Sequence, residues 1–416
     1  MVKKTTQAVF WTAAGQAPAQ YPWLSQNAEC EIAVVGGGLT ACLCALRFAQ
    51  AGYDTVMVGA EPVGYGGTAA SSGMMGLDAE GCLSELVEKI GADRAMAAVR
   101  LFREAIDRLE ALCRENAAGC AFRRMDTLRY AQQRKGAEVI RQEFSLRLHN
   151  GIDAELLSAH NAAEQFTFPM EAGVYSRGAG AQTDPYRLAH TAAALAAQAG
   201  ARIYENTGVS VVDHGEEGKV RLECGTGHTV NARYAVIAAG LDTDKQCGGL
   251  ERTATAYTVV TEPVEEFSGW RGPCIIHTQE EPHLSLTVTP DNRILIGGTG
   301  SALVDEHGRL AGVLDLSSAG QKRYEQLEKR LRAMFPAIRG ITAEYVYASR
   351  VGRTGDGLPV IGRLPQEDRI AYALCCGENG PLYAEIASRL LVEQYQGRGN
   401  QDLGLFSPRR EWRVKH

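Results

Sequence analysis

The stretch Gly36-Gly37-Gly38-Leu39-Thr40-Ala41 lies between a short apolar run and a helical one, and its residue types suit one kind of chemistry. In a G-x-G-x-x-A spacing, Gly36 turns the chain tightly, Gly38 lets a pyrophosphate approach the backbone, and Ala41 lets the helix pack closely. The N-terminus of that helix then points unpaired N–H groups at the phosphates. Gly36, Gly38, Leu39 and Thr40 are therefore the expected contacts of a dinucleotide, with a purely structural glycine turn as the competing account. A carboxylate normally ends the second strand of such a unit and holds the adenosine ribose. Here Thr55-Val56-Met57-Val58 runs into Gly59, with Glu61 two residues on. Either Glu61 reaches round, or that contact is lost.

Two later stretches have related character. Tyr234-Ala235-Val236-Ile237-Ala238-Ala239-Gly240 reads as a buried strand running into a glycine, which would bring Ala239 and Gly240 to the end of the same sheet. Asp356-Gly357-Leu358-Pro359-Val360-Ile361-Gly362 is followed by Gly377-Glu378-Asn379-Gly380, directly before the last helix. A glycine-rich turn at a helix N-terminus offers backbone N–H groups and the positive end of a dipole, a preorganised stabiliser of negative charge that grows during a reaction. The plain alternative is a capped helix. Cys375 and Cys376 beside this turn read as buried small hydrophobes, with no chemistry assigned to them.

The elements that must position these residues follow from periodicity. Residues 5–28 read as an irregular arm carrying Trp11, Tyr21 and Trp23; then 29–35 is a strand, 40–52 a helix and 55–58 a strand, which is a βαβ unit. Residues 83–115 are helix-rich, with apolar positions near the 3.6 period. A helix at 185–199, closed by Gly200, leads into three alternating strands at 202–204, 209–213 and 219–223. Strands at 256–261, 274–277, 284–289 and 293–297, broken by turn residues, suggest an antiparallel sheet, followed by a helix at 319–335, a strand at 345–349 and a final helix at 381–395. The fold class is thus α/β, α+β overall: a Rossmann-like nucleotide domain with a second, mostly antiparallel-sheet domain. The expected limits are an arm at 1–27, a discontinuous nucleotide domain at 28–110, 171–245 and 344–405, and a substrate domain at 111–170 and 246–343.

Composition narrows the function. A chain of 416 residues is long enough for two lobes, and 45% hydrophobic with 22% charged residues is ordinary globular usage. A net charge of -6 without a basic stripe argues against nucleic acid. The longest apolar runs are strand-sized, and the first residues lack a signal-peptide core, so no membrane insertion is expected. Eleven cysteines without a CxxC pair argue against a disulfide framework or structural zinc; a reducing, cytoplasmic location fits.

Taken together, the Gly36 turn, Val63-Gly64-Tyr65-Gly66-Gly67-Thr68, the Tyr234 to Gly240 strand, Thr261-Glu262-Pro263, Asp291 to Gly298 and Thr354 to Gly362 resemble the D-amino-acid oxidase superfamily of FAD enzymes. Within it, the chain is similar to the glycine oxidase and gamma-glutamylputrescine oxidoreductase-like group. The resemblance implies that Gly64 to Ser72, including Gly66, Gly67, Thr68, Ser71 and Ser72, runs beside pyrophosphate and flavin. It implies that Val209 meets adenine through its backbone and that Gly377, Glu378, Asn379 and Gly380 flank the isoalloxazine. Members that bind flavin covalently carry a cysteine at about the position of Ser349, so a noncovalent FAD is implied.

The family resemblance further implies hydride transfer from a carbon bearing an amine, with the protein aligning donor and flavin. A substrate carboxylate needs a fork-shaped cation, and Arg350 or Arg353 is the candidate, depending on a one-residue strand register. Tyr257, Tyr347, His283 and Met74 are pocket candidates by alignment. The chain departs from its relatives at Gly59; at Ala70, where they have arginine; at Thr287, a position often arginine; and at Glu378 in place of a glycine, which suggests a cationic amine as substrate. The expected function is FAD-dependent oxidation of the C–N bond of an amine or amino acid, with oxygen, a quinone or a protein as acceptor. A catalytically degenerate flavin-binding subunit and an α-hydroxy-acid dehydrogenase are the alternatives.

Overall fold

The computed structural model describes residues 9–13, 19–78, 81–116, 120–214, 218–300, 311–313, 318–375 and 377–410. From the N-terminus the chain forms α1 (Phe10–Ala13), β1 (Ala28–Val35), α2 (Leu39–Gln50), β2 (Thr55–Val58), β3 (Met74–Gly76), α3 (Leu83–Ile90), α4 (Ala92–Glu115), β4 (Arg123–Ala131) and α5 (Arg134–His149). There follow β5 (Ala154–Ser158), α6 (Ala159–Ala163), β6 (Ala172–Gln182), α7 (Pro185–Gln198), β7 (Arg202–Tyr204), β8 (Val209–His214), β9 (Val220–Cys224), β10 (Thr229–Ile237) and α8 (Asp244–Cys247). The last third holds β11 (Arg252–Thr261), β12 (Ile275–Thr278), β13 (Leu284–Val288), β14 (Ile294–Gly300), β15 (Ala311–Val313), α9 (Ser318–Met334), β16 (Ala343–Arg353), β17 (Val360–Arg363), β18 (Ile370–Leu374), α10 (Gly380–Tyr395) and α11 (Leu403–Phe406).

Two sheets result. The first runs β17-β18-β10-β1-β2-β7, parallel except for the β17–β18 hairpin, with β8 and β9 branching antiparallel from β10. Its strands are apolar on both faces because both are covered: α2, α7, α4 and α10 share a core with Ile32, Val34 and Val236 on one side, and Val220 and Leu222 of β9 share a second core with Ala33, Val56 and Ala235 on the other. Asp184 caps α7 by accepting from the Arg187 N–H at 2.9 Å, and Pro185 occupies its first turn.

The second sheet runs β15-β16-β11-β14-β13-β12-β4-β6-β3, with β5 on β6. It is antiparallel except where β4 and β12 run parallel. β3, β6 and β16 hydrogen-bond here, although the sequence-based limits place their residues with the nucleotide domain. Three other expectations are refined. Residues 83–115 form two helices because Gly91, at φ 88°, breaks them; the arm contains a helical turn whose Phe10 and Trp11 are buried; and residues 123–182, unread from periodicity, form β4, α5, β5, α6 and β6.

Candidate active site

β1 pairs with β10 on one side and β2 on the other, all parallel, so the chain leaves the ends of β1 and β10 in opposite directions. A crevice at such a reversal, beyond the carboxyl ends of the strands, is where doubly wound sheets bind ligands. Gly36 sits there at φ 140°, and a Cβ on it would lie 2.3 Å from the Ala238 carbonyl oxygen, so the turn closes backbone on backbone. The chain is tight at Gly59 as well: a Cβ there would stand 3.0 Å from Gly37 Cα and 3.2 Å from Gly37 N, so a side chain at the end of β2 would push against the Gly36 turn. Glu61 is exposed, and among the described residues its side chain makes no hydrogen bond or ion pair. The carboxylate doing structural work nearby is Glu205, unread from the sequence, which accepts from the Val63 N–H at 2.7 Å and the Tyr21 N–H at 3.0 Å. Thr68 accepts the Leu39 N–H at 2.9 Å and so caps α2 from the loop 64–72. The Trp11 indole donates to the Ser71 carbonyl at 2.7 Å, and the Ser71 and Ser72 hydroxyls accept from the Gly73 and Met74 N–H groups, holding the loop in place. Val209 opens β8 just after Thr207, whose N–H donates to the Gly59 carbonyl at 2.6 Å.

Strand alternation sorts the second sheet into two faces. Thr258 pairs with Tyr347 and Gly297, Ser285 with Gly297 and His277, and His277 with Arg129, so these residues share a face with Thr287 and Ile275 two positions along. This face looks toward the cradle. Tyr347 packs with Ala69 and Ala70 of the loop, and Met74, Met125 and Ile275 cluster beside Thr287. Ala70 and Thr287 are thus buried packing positions here, Thr287 donating its hydroxyl to the Met125 sulfur. Among the described residues the Tyr347 hydroxyl has no hydrogen-bond partner, and burial pushes its pKa up. The opposite face carries Tyr257, which stacks edge-on against Tyr324 of α9 at 5.5 Å and lines a cavity of about 550 Å³ with Phe168, Leu284 and Leu327. His283 lies in the β12–β13 turn, beside Glu281.

The register also separates the two arginine candidates. Arg350 pairs with Thr255 and shares Tyr257's face, whereas alternation puts Arg353 on the face of Tyr347 and Ser349. Sequence reasoning missed a third arginine. Arg123 of β4 lies two positions before Met125, donates through Nε (3.2 Å) and Nη2 (2.6 Å) to Gln182 Oε1, and has no carboxylate within ion-pair distance among the described residues. Burial lowers its pKa, opposed only by the more distant Asp291.

The N-terminus of α10 meets the same face. Asn379 accepts the Gly76 N–H at 2.8 Å through Oδ1 and donates to the Asp78 carbonyl, tying the helix to edge strand β3. Glu378 reaches the sheet: Ser285 Oγ lies 3.4 Å from both of its carboxylate oxygens, and His277 Nδ1 lies 3.7 Å from Oε2. Next to it is a buried cluster. Asp78 binds Arg147 at 2.5 Å and Arg129 at 3.3 Å, and Arg147 also binds Glu143 at 2.8 Å and Ser176 at 2.9 Å. Burial opposes it, but Arg147 and Arg129 hold the Asp78 carboxyl below the usual range. Burial and Arg129 push His277 down to about 4, so it is neutral at physiological pH. No group of residues able to hold a metal occurs among the described residues, and no described helix is long and apolar enough to cross a membrane. Cys376 lies outside the described residues.

A family model described as FAD dependent oxidoreductase (DAO) matches residues 31–394. The chain belongs to this family. Glycine oxidase of Bacillus licheniformis is 26% identical over 374 residues, covering 88% of this chain and 92% of that protein. Gamma-glutamylputrescine oxidoreductase of Escherichia coli K12 is 22% identical over 395 residues, covering 93% and 88%. The crystal structure of glycine oxidase from Geobacillus kaustophilus matches with a TM-score of 0.76 at 20% identity over 92% of this chain and 100% of that one, a likeness of fold.

The residues present fit the family's cofactor, FAD. Among the described residues, Gly66, Gly67 and Gly240 have no atom beyond their own chain neighbours within 4 Å of where a Cβ would stand, so bare backbone lines open space beside the crowded Gly36 turn. In this FAD-dependent oxidoreductase the α2 N-terminus would face the diphosphate, and Gly377, Asn379 and Gly380 would border the ring system. When bound, the flavin supplies a hydride acceptor. The chain's own part is alignment: Asn379 locks α10 to β3, and Tyr347 packs the face that also bears Met74, Met125 and Thr287 against Ala69 and Ala70 of the loop.

Proposed function

We propose that this protein oxidises the C–N bond of an amino acid or amine by hydride transfer to a noncovalently held FAD. One observation carries the reading: a mostly apolar sheet face packs through Tyr347 against the loop of a glycine-built dinucleotide cradle, with Arg123 and Arg353 on that face and the Glu378 carboxylate reaching it from the start of α10. Arg353 and Arg123 are the cations suited to a substrate carboxylate, since a planar guanidinium can meet both oxygens at once. The names of the relatives, glycine oxidase and gamma-glutamylputrescine oxidoreductase, support an amine carbon as hydride donor. Ser349 stands where a cysteine would be needed for a covalent flavin of the family's kind, which supports a dissociable cofactor.

Anaerobic mixing of the flavin-loaded protein with panels of amino acids, amines and α-hydroxy acids tests this. Bleaching by amines or amino acids is expected; bleaching by hydroxy acids alone, or by none of them, overturns it. Acid precipitation should release the flavin into the supernatant.

A further inference from the structure

We propose that Glu378, together with Ser285 and His277, forms a subsite for a positively charged group, which makes the preferred substrate a diamine or a basic amino acid. The inference rests on the amine-oxidising reading above and deepens it. Glu378 lies two residues before α10, after a glycine at φ 105°, and its side chain reaches toward the sheet, with 41% of its surface exposed. Its surroundings are otherwise enclosed: Ser285 is 8% exposed and the His277 side chain 15%.

No lysine or arginine lies within ion-pair distance of Glu378 among the described residues. Every cation nearby is committed elsewhere. Arg129 binds Asp78 and donates to the Gly81 carbonyl at 2.8 Å, while Arg147 is held by Asp78, Glu143 and Ser176. His277, being neutral, contributes no compensating charge. Hydrogen bonding leaves the carboxylate equally short of partners. A carboxylate offers about four acceptor sites, whereas the Ser285 hydroxyl has a single proton to share between two oxygens at 3.4 Å each, and His277 Nδ1 is itself 3.0 Å from that hydroxyl. The start of α10 therefore presents a part-exposed anion with open acceptor positions. An ammonium, with three donors and a positive charge, satisfies both needs; a neutral donor fills the acceptor positions but leaves the charge uncompensated, and an anion does neither.

The experiment compares 1-aminobutane with 1,4-diaminobutane on the flavin-loaded protein and on E378Q. Anaerobic flavin reduction should favour the diamine by about tenfold in kcat/KM in the parent, and E378Q should abolish that preference. Separately, calorimetric titration of 1,4-diaminobutane into the oxidised protein should show affinity at least about tenfold weaker in E378Q. E378G, which places the smallest residue there, guards against a glutamine-specific folding defect, and flavin absorbance confirms loading of each variant. If amines reduce the flavin with no diamine preference, the subsite is overturned while the amine-oxidising reading stands. If diamine binds equally well to parent and variants, the subsite is likewise overturned. If the diamine binds in a Glu378-dependent way yet no amine bleaches the flavin, the subsite stands and the reaction assignment fails.

Discussion

Asp78 shows how single residues hold this site. It lies between two guanidiniums that are themselves almost fully buried, and Asn379 fastens its backbone carbonyl to the start of α10. Removing one partner of a buried ion cluster leaves an uncompensated charge, which costs about 3–5 kcal/mol. Asp78→Asn is therefore expected to lose stability of that order in urea unfolding, with Glu143 left to balance both arginines. The pH dependence has a definite sign. Because the folded-state pKa of Asp78 is lowered, its contribution is fully present above the ordinary carboxylate range and is lost as pH falls through the folded value. Acid unfolding of the parent should be correspondingly steeper than that of Asp78→Asn. Equal slopes would show that Asp78 is not the group being titrated. The cluster itself was not legible in the sequence, because its members come from positions 78, 129, 143 and 147 in a region whose periodicity was not read.

The Gly36 turn gives the element-scale counterpart, since Gly36 and Gly67 of the neighbouring loop do different work. A Cβ at Gly36 would collide with the Ala238 carbonyl in a conformation that L-residues rarely adopt, whereas at Gly67 a Cβ would meet no protein atom within 4 Å. Gly36→Ala should lower the melting temperature and abolish flavin uptake, because the β1–α2 turn cannot close without displacing β10. Gly67→Ala should leave the apoprotein's melting temperature within about 1 °C, by the small energetic effect of surface substitutions, and weaken FAD affinity by about tenfold or more. Apoprotein melting and fluorescence titration with FAD distinguish the two; a Gly67→Ala variant with unchanged affinity would remove this residue from the cofactor wall. The turn was readable because its spacing is local, six consecutive residues carrying the motif, although the contact with Ala238 that demands Gly36 is not. Gly59 was readable only as a missing carboxylate, since its tight approach is to Gly37, twenty-two residues earlier.

At the scale of the whole molecule, the chain's end ties back to the nucleotide lobe. Arg410 grips the fully buried Asp356 through Nε at 2.7 Å and Nη2 at 2.8 Å, and donates to the Leu358 carbonyl at 2.8 Å, while Asp356 holds the Leu358 N–H at 3.0 Å. The Asp356-Gly357-Leu358-Pro359 turn thus depends on a residue outside the motif. Arg410→Ala should cost about 3–5 kcal/mol, as for other broken buried pairs, with faster proteolysis around residue 357. An unchanged unfolding midpoint would mean that the tail is dispensable. The sequence by itself determined the two-lobed α/β plan, the cradle at Gly36 and most helix and strand positions, because glycine requirements and side-chain periodicity act over a few neighbouring residues. Only the tertiary structure decided which of Arg350 and Arg353 shares the face of Tyr347, why Tyr257 turns toward α9, and that Glu378 meets Ser285 and His277. Alternation along a strand separates two faces but does not say which one covers the cofactor until pairing sets the register, and a buried charge finds its partners through contacts between segments far apart in the chain.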